Sequence, residues 1–245
     1  MKKLLLTLLP SLALFLISSC VVEEDTAPVT PPPPSVNNGL VAYFSFEGNA
    51  DDLSGNNFHG SIQGARPTAD RFGNQNGAYL FDGTDDFISL GNVEEMSFGG
   101  AESYTIAAWV RANERTEGTN IIVSKWNGGV LAGWYLGVTD ERKAISYRNV
   151  VPWATTTEEE VTADEFVHLI TSYDGEAREL MLYINGELVK TQPFGTHPYD
   201  QRTPVLIGAL HSRNAVANFY QGVIDDIRIY DRLLNEEEIT YLAEN

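Results

Sequence analysis

Asp225 is the residue that asks most of its surroundings. It lies in residues 222–232, GVIDDIRIYDR, where Val223, Asp225, Ile227 and Ile229 fall on one face of a strand. Three apolar neighbours make that the buried face. An unpartnered carboxylate there would cost on the order of several kcal/mol, so it must be hydrogen-bonded, ion-paired or metal-bound. Residues 49–57, NADDLSGNN, form an oxygen-rich loop. Asn49, Asp52, Asn57 and turn carbonyls there, together with Asp225, could supply the roughly six to eight oxygens that Ca²⁺ takes, in a structural role. The same residue types also cap turns. Asp52, Ser54 and Asn56 would then serve backbone N–H groups, and Asp225 would accept others.

Hydrolysis of a glycoside needs a different arrangement, two carboxylates about 5–5.5 Å apart in a retaining enzyme. A strand reading Glu-x-Asp-x-x-Glu would place its acids on one face. The only Glu-x-Asp here is Glu23–Asp25, and Pro28 stands where the second Glu would be. Gly-x-Ser-x-Gly, His-Glu-x-x-His and a phosphate-binding glycine loop are absent, and His59, His168, His197 and His211 lack metal-ligand spacing. No catalytic residue is expected, which leaves recognition. Sugars are held by flat aromatic faces and by polar groups that match hydroxyls. Trp153 follows Pro152 in a stretch where no strand demands it, and is the expected stacking platform. Tyr147, Tyr199, His211 and Arg213 lie in or near other loops and could join it. Trp109, Trp126 and Trp134 read as packing. Asp82, Asp85 and Asp86 read as a solvated hairpin turn, and Glu158–Glu160 as a wet loop.

The elements that carry these residues alternate with period two between turn residues. Eleven strands are expected, at 40–46, 78–81, 87–90, 104–110, 121–125, 134–138, 144–148, 166–173, 179–184, 205–207 and 223–230. Asp82-Gly83, Asp174-Gly175 and Asn185-Gly186 mark hairpin turns. One helix is expected near the end, with Asn235 as N-cap, Glu238 as its capping-box partner, and Ile239 and Leu242 as the apolar stripe. The fold class that follows is all-β, a two-sheet antiparallel jelly-roll sandwich with a short C-terminal helix.

Ahead of this body stand three further signals. Lys2 and Lys3, the apolar run 4–17, and Ser18-Ser19 before Cys20 have the layout of a secretory signal, too short for a membrane span. Residues 16–20, LISSC, resemble a bacterial lipoprotein lipobox, which implies cleavage after residue 19 and lipidation of Cys20, the chain's one cysteine. Residues 20–38 then form a tether, with Pro28 and Pro31–Pro34 favouring an extended spacer. Glu23, Glu24 and Asp25 resemble the surface-export tag of Bacteroidetes-type lipoproteins, so an outer-membrane protein displayed on the cell surface is expected. Across the whole chain, 34 acids face 16 Lys and Arg, a formal net charge of −18. Phosphate contacts need clustered Lys and Arg, so nucleic acid is excluded as a partner, and the membrane is met through the lipid only. With Cys20 lipidated no disulfide can form, and the fold rests on its core.

Three stretches identify a family. Residues 48–60 open the body with GNADDLSGNNFHG, residues 81–88 read FDGTDDFI, and residues 222–232 close the last strand. With YTIAAW at 104–109, Lys125-Trp126 and LYING at 182–186, they resemble the LamG-like jelly roll of the concanavalin A-like lectin/glucanase superfamily over residues 39–245. One departure is Phe166, where many relatives have Trp. The resemblance implies a structural Ca²⁺ where the first loop meets the last strand, with Asp52 and Asp225 at the matching positions. It also implies a lectin-like module that takes carbohydrate or a glycosylated partner. An adhesive envelope protein holding another protein, and an accessory to a glycoside hydrolase, are the competing readings.

Overall fold

The structure, a computed structural model, describes residues 35–113, 118–127, 133–148, 152, 154–195, 203–213 and 215–245. The signal, Cys20 and the prolines of the tether lie outside that set. In chain order the strands are β1 (Leu40–Phe44), β2 (Ser61–Gln63), β3 (Arg66–Thr68), β4 (Ala78–Asp82), β5 (Phe87–Gly91) and β6 (Tyr104–Ala112). They continue with β7 (Asn120–Lys125), β8 (Trp134–Val138), β9 (Lys143–Arg148), β10 (Ala154–Glu160), β11 (Val167–Asp174) and β12 (Glu179–Ile184). Last come β13 (Glu187–Pro193), β14 (Val205–Ile207), β15 (Leu210–Ser212), β16 (Ala215–Ala217), β17 (Gln221–Tyr230) and the helix α1 (Glu236–Glu244).

One sheet runs β13-β12-β11-β6-β17-β4-β3, with β1 also on β17; the other runs β10-β9-β8-β7-β14-β5-β2. All these pairs are antiparallel, and the two inner faces pack as a sandwich. Alternation builds the core. Tyr104, Ile106, Ala108 and Val110 of β6 face Tyr173, Leu169 and Val167 of β11 across the inner side. The other face of this sheet is covered by α1, whose Ile239 and Leu242 pack on Ala107, Ile170 and Tyr230. Asn235 caps α1 as its sequence requires: its side chain accepts from Glu238 N–H while the Glu238 carboxylate accepts from Asn235 N–H.

Turn chemistry divides the dipeptides. Asn185 and Gly186 both have positive φ, 49° and 84°, the geometry of a two-residue hairpin turn between β12 and β13. Asp174-Gly175 is different. The chain turns over residues 175–178, and Arg178 carries the positive φ. Gly175 is needed because a Cβ there would overlap the Ala101 carbonyl oxygen.

β17 departs from the regular strand expected. Its register on β6 slips between Asp225 and Arg228, and Asp226 takes φ 43°, so this is a β-bulge. The extra residue moves Asp225 off the face that carries Ile227 and Ile229, which stay in the core. Asp225 instead lies opposite Trp109, on the side that α1 covers. Glu158–Glu160 are also corrected: they are exposed as expected, but they end strand β10.

Candidate functional site

The outer face of the second sheet carries a cross-strand row. Tyr147 of β9, Tyr135 of β8, Ser124 of β7 and Leu206 of β14 stand in register. Their neighbours Arg148, Trp134 and Lys125 point inward and lock this end of the sheet from below. Lys125 Nζ donates to the carbonyls of Val93 (2.9 Å) and Thr203 (2.7 Å). The Arg148 guanidinium donates to Phe98 O and Gly100 O and lies 3.8 Å from the centre of the Tyr173 ring. Buried cations persist only when so satisfied, and here they fix the strands beneath the row.

Tyr135 and Tyr147 stack with ring centres 4.8 Å apart and planes 8° from parallel. Trp126, which follows β7, meets both edge-on, at 6.4 Å and 5.8 Å. All three rings are half-buried. Such pairs contribute about 0.5–1.5 kcal/mol beyond their buried area, which favours this arrangement of the rings. Burial, together with the neighbouring Tyr147, pushes the Tyr135 phenol up to about 12, which keeps it a neutral O–H donor. The cluster therefore offers apolar ring surface and phenol hydroxyls side by side.

A small hairpin walls this floor. β15 pairs only with β16 among the described residues, and Ser124 Oγ donates to Ala209 O at 2.8 Å just before it. At its tip Arg213 N–H donates to Asn127 O at 2.8 Å, beside Trp126. The expected ligand residues Tyr147, His211 and Arg213 are thus brought to one end of one sheet face. Trp153 and Tyr199 fall outside the described residues. Trp126 packs, as expected, but against the two tyrosines of this cluster, and Tyr135 was not foreseen.

The expected Ca²⁺ site has a different outcome. Asp52 Oδ1 accepts from Tyr43 N–H (3.0 Å) and Ser54 N–H (2.9 Å), and Oδ2 from Ser54 Oγ–H (2.9 Å) and Phe58 N–H (3.0 Å). A carboxylate has about four lone-pair sites, and these four donors fill them. The same hydrogen bonds outweigh the desolvation that pushes the other way, and hold the Asp52 carboxyl below its ordinary value. Asn49 Oδ1 caps Asp51 N–H, and Asn57 Nδ2 bonds Gly55 O. Asp225, with 3% of its side chain exposed, pairs with Arg71 at 2.7 Å. Burial pushes its carboxyl up to about 6, against the pull of that guanidinium. Asn49, Asp52, Asn57 and Asp225 therefore do not fit a shared Ca²⁺ as arranged. The loop residues cap turns, and a guanidinium meets Asp225.

Arg71 was not foreseen. It also donates to Asp226 Oδ2 and to the Asn245 carbonyl, and it lies between the rings of Phe72 (4.4 Å) and Trp109 (5.1 Å). His168, beside Trp109 at 5.0 Å, is buried, and desolvation with Arg228 and Arg71 nearby pushes it down to about 3, so it is neutral. Asp82, Asp85 and Asp86 bring their carboxylates within 4.8 Å of one another, and two of the three cap their own turn: Asp82 Oδ1 accepts from Thr84 N–H, and Asp86 Oδ2 from Asp82 N–H.

Comparison with known proteins agrees with this architecture. The binding domain of Paraclostridial Mosquitocidal Protein 1 superposes with a TM-score of 0.68 at 18% identity, over 84% of this chain and 52% of that one. This chain therefore spans about half the length of that protein's binding domain. Domain 4 of AbnA, a GH43 extracellular arabinanase from Geobacillus stearothermophilus solved with arabinotriose, gives 0.63 at 18% identity, over 83% and 98%. A botulinum neurotoxin type C structure, whose cell entry depends on interaction with two ganglioside molecules, gives 0.64 at 14% identity, over 85% and 52%. Identities this low establish the fold alone. No curated protein matches the chain. The family model for the concanavalin A-like lectin/glucanases superfamily matches residues 82–240, and to that superfamily this chain belongs.

Proposed function

We propose that this protein is a carbohydrate-binding module held at the outer membrane by a lipid on Cys20 and displayed on the cell surface. The observation that carries the reading is the Tyr135–Tyr147 stack with Trp126, three half-buried rings on an outer sheet face. Sugar rings present apolar C–H faces and a fringe of hydroxyls, and this cluster matches both. Binding without turnover follows from the lack of any catalytic motif in the body of the chain. The superfamily and a neighbour in fold solved with arabinotriose support the same reading.

A glycan array probed with the mature chain carrying Cys20→Ser tests it. One glycan class is expected to bind, and Tyr147→Ala to weaken it about tenfold or more with an unchanged circular dichroism spectrum. A blank array from folded protein, with a stoichiometric envelope protein recovered from pull-downs in excess sugar, would replace this reading with protein adhesion.

A further inference from the structure

The charge of the chain is unevenly placed. Residues 118–139, 142–157 and 201–224 contain no Asp or Glu, although the chain has 34. Those three segments supply β7, β8, β9, β14, β15 and β16, the strands that build the aromatic floor and its wall. The same segments carry Lys125, Arg142, Lys143, Arg148, Arg202 and Arg213. The strands of the aromatic floor and its wall therefore carry no acid, in a protein of net charge −18.

Of the described arginines in those segments, Arg148 is buried, while Arg142 and Arg213 reach the surface. Arg71, Arg142, Arg228 and Arg232 each face a carboxylate. Arg213 is exposed, and its guanidinium has no ion pair or hydrogen bond among the described residues. Its backbone is nonetheless fixed. It sits at the hairpin tip with φ 54°, a conformation uncommon for a residue with a side chain, and its N–H is bonded to Asn127 O. On the same hairpin His211 Nδ1 is buried and has no hydrogen-bond partner among the described residues. An exposed guanidinium carried on a fixed backbone, next to the Trp126–Asn127 segment, is suited to a carboxylate, which it grips with two parallel N–H bonds.

Resting on the reading of Tyr135 and Tyr147 as a glycan floor, we infer that the sugar bound there is an acidic one. Its carboxylate meets Arg213, with His211 alongside, while the ring lies against the aromatic cluster. The acids elsewhere do not prevent this. At physiological ionic strength their field is screened over about 8 Å, so distant acids weigh little against a direct contact with Arg213.

The test uses matched pairs that differ only in the carboxylate: oligogalacturonate and its methyl ester, oligomannuronate and its carboxyl-reduced form, and sialyllactose and lactose. Each is titrated calorimetrically into the mature Cys20→Ser chain. At least one acidic member is expected to bind tenfold or more tighter than its neutral partner. Arg213→Ala should abolish that preference, whereas Tyr135→Ala should weaken both members and keep their ratio. Equal binding of acidic and neutral members, unmoved by Arg213→Ala, would overturn this inference and leave the glycan reading standing. No binding of any member, together with a blank array, would remove both.

Discussion

Arg71 stands where a divalent cation was expected beside Asp225, and the exchange has energetic consequences. The pair is almost fully enclosed, with 10% of the Arg71 side chain and 3% of the Asp225 side chain exposed. Removing one partner of a buried pair leaves an uncompensated charge and costs about 3–5 kcal/mol. Arg71→Ala should therefore lower the urea midpoint by the equivalent of that amount. Arg71→Lys should recover only part, because an ammonium cannot reach Asp225, Asp226 and the Asn245 carbonyl from one rigid fork. A chelator should leave the melting temperature of the unaltered protein unchanged. A fall on chelation, reversed by Ca²⁺, would mean that a cation shares these carboxylates after all. The need for a partner at Asp225 was legible from its apolar neighbours, but the partner was not. Arg71 is 154 residues away in a loop, and nothing local marks it.

Single elements show where pattern reading succeeds. The helix was legible because its start is written in two residues three positions apart that bond each other, Asn235 and Glu238. Glu238 is also held by Arg232 Nη1 and Nη2 at 2.8 and 2.7 Å, so the cap is tied to the end of β17. Asn235→Ala should cost about 1 kcal/mol, read as a shift in the urea midpoint, since it orphans the Glu238 N–H. An unchanged midpoint would mean that packing on Ile170 and Tyr230 alone sets the helix. The short strands β2, β3, β15 and β16 were not legible, because three-residue segments carry no period, and the equally short β14 was legible only through its apolar run Val205–Ile207. Nor was the bulge in β17, since Asp225-Asp226 reads as ordinary alternation until the ladder with β6 slips. The aromatic site was half legible. A hairpin closing at residues 139–142 pairs Tyr135 with Tyr147 by simple counting, whereas the return of Arg213 to Asn127 depends on the whole sheet.

At the scale of the whole molecule, charge decides how the protein meets a membrane. The formal net charge of −18 would become two units more negative if the proposed signal, with Lys2 and Lys3, were removed. Attraction to anionic headgroups is worth about 1 kcal/mol per Lys or Arg near the surface, and this chain has no basic cluster at its membrane end to gain it. The opposite holds there: Glu23, Glu24 and Asp25 follow Cys20 directly and would be repelled. Among the described residues no helix is long and apolar enough to cross a bilayer. In the proposed reading, membrane association would rest on acyl chains at Cys20, which act through buried apolar area and are insensitive to salt. Cys20→Ser should move the protein from the membrane pellet to the soluble fraction with its β spectrum intact. A wash at high ionic strength should fail to release the unaltered protein, because screening weakens only charge–charge contacts. Retention of the Cys20→Ser chain in the pellet, or release of the unaltered chain by salt, would replace the lipid anchor with capture by a membrane partner.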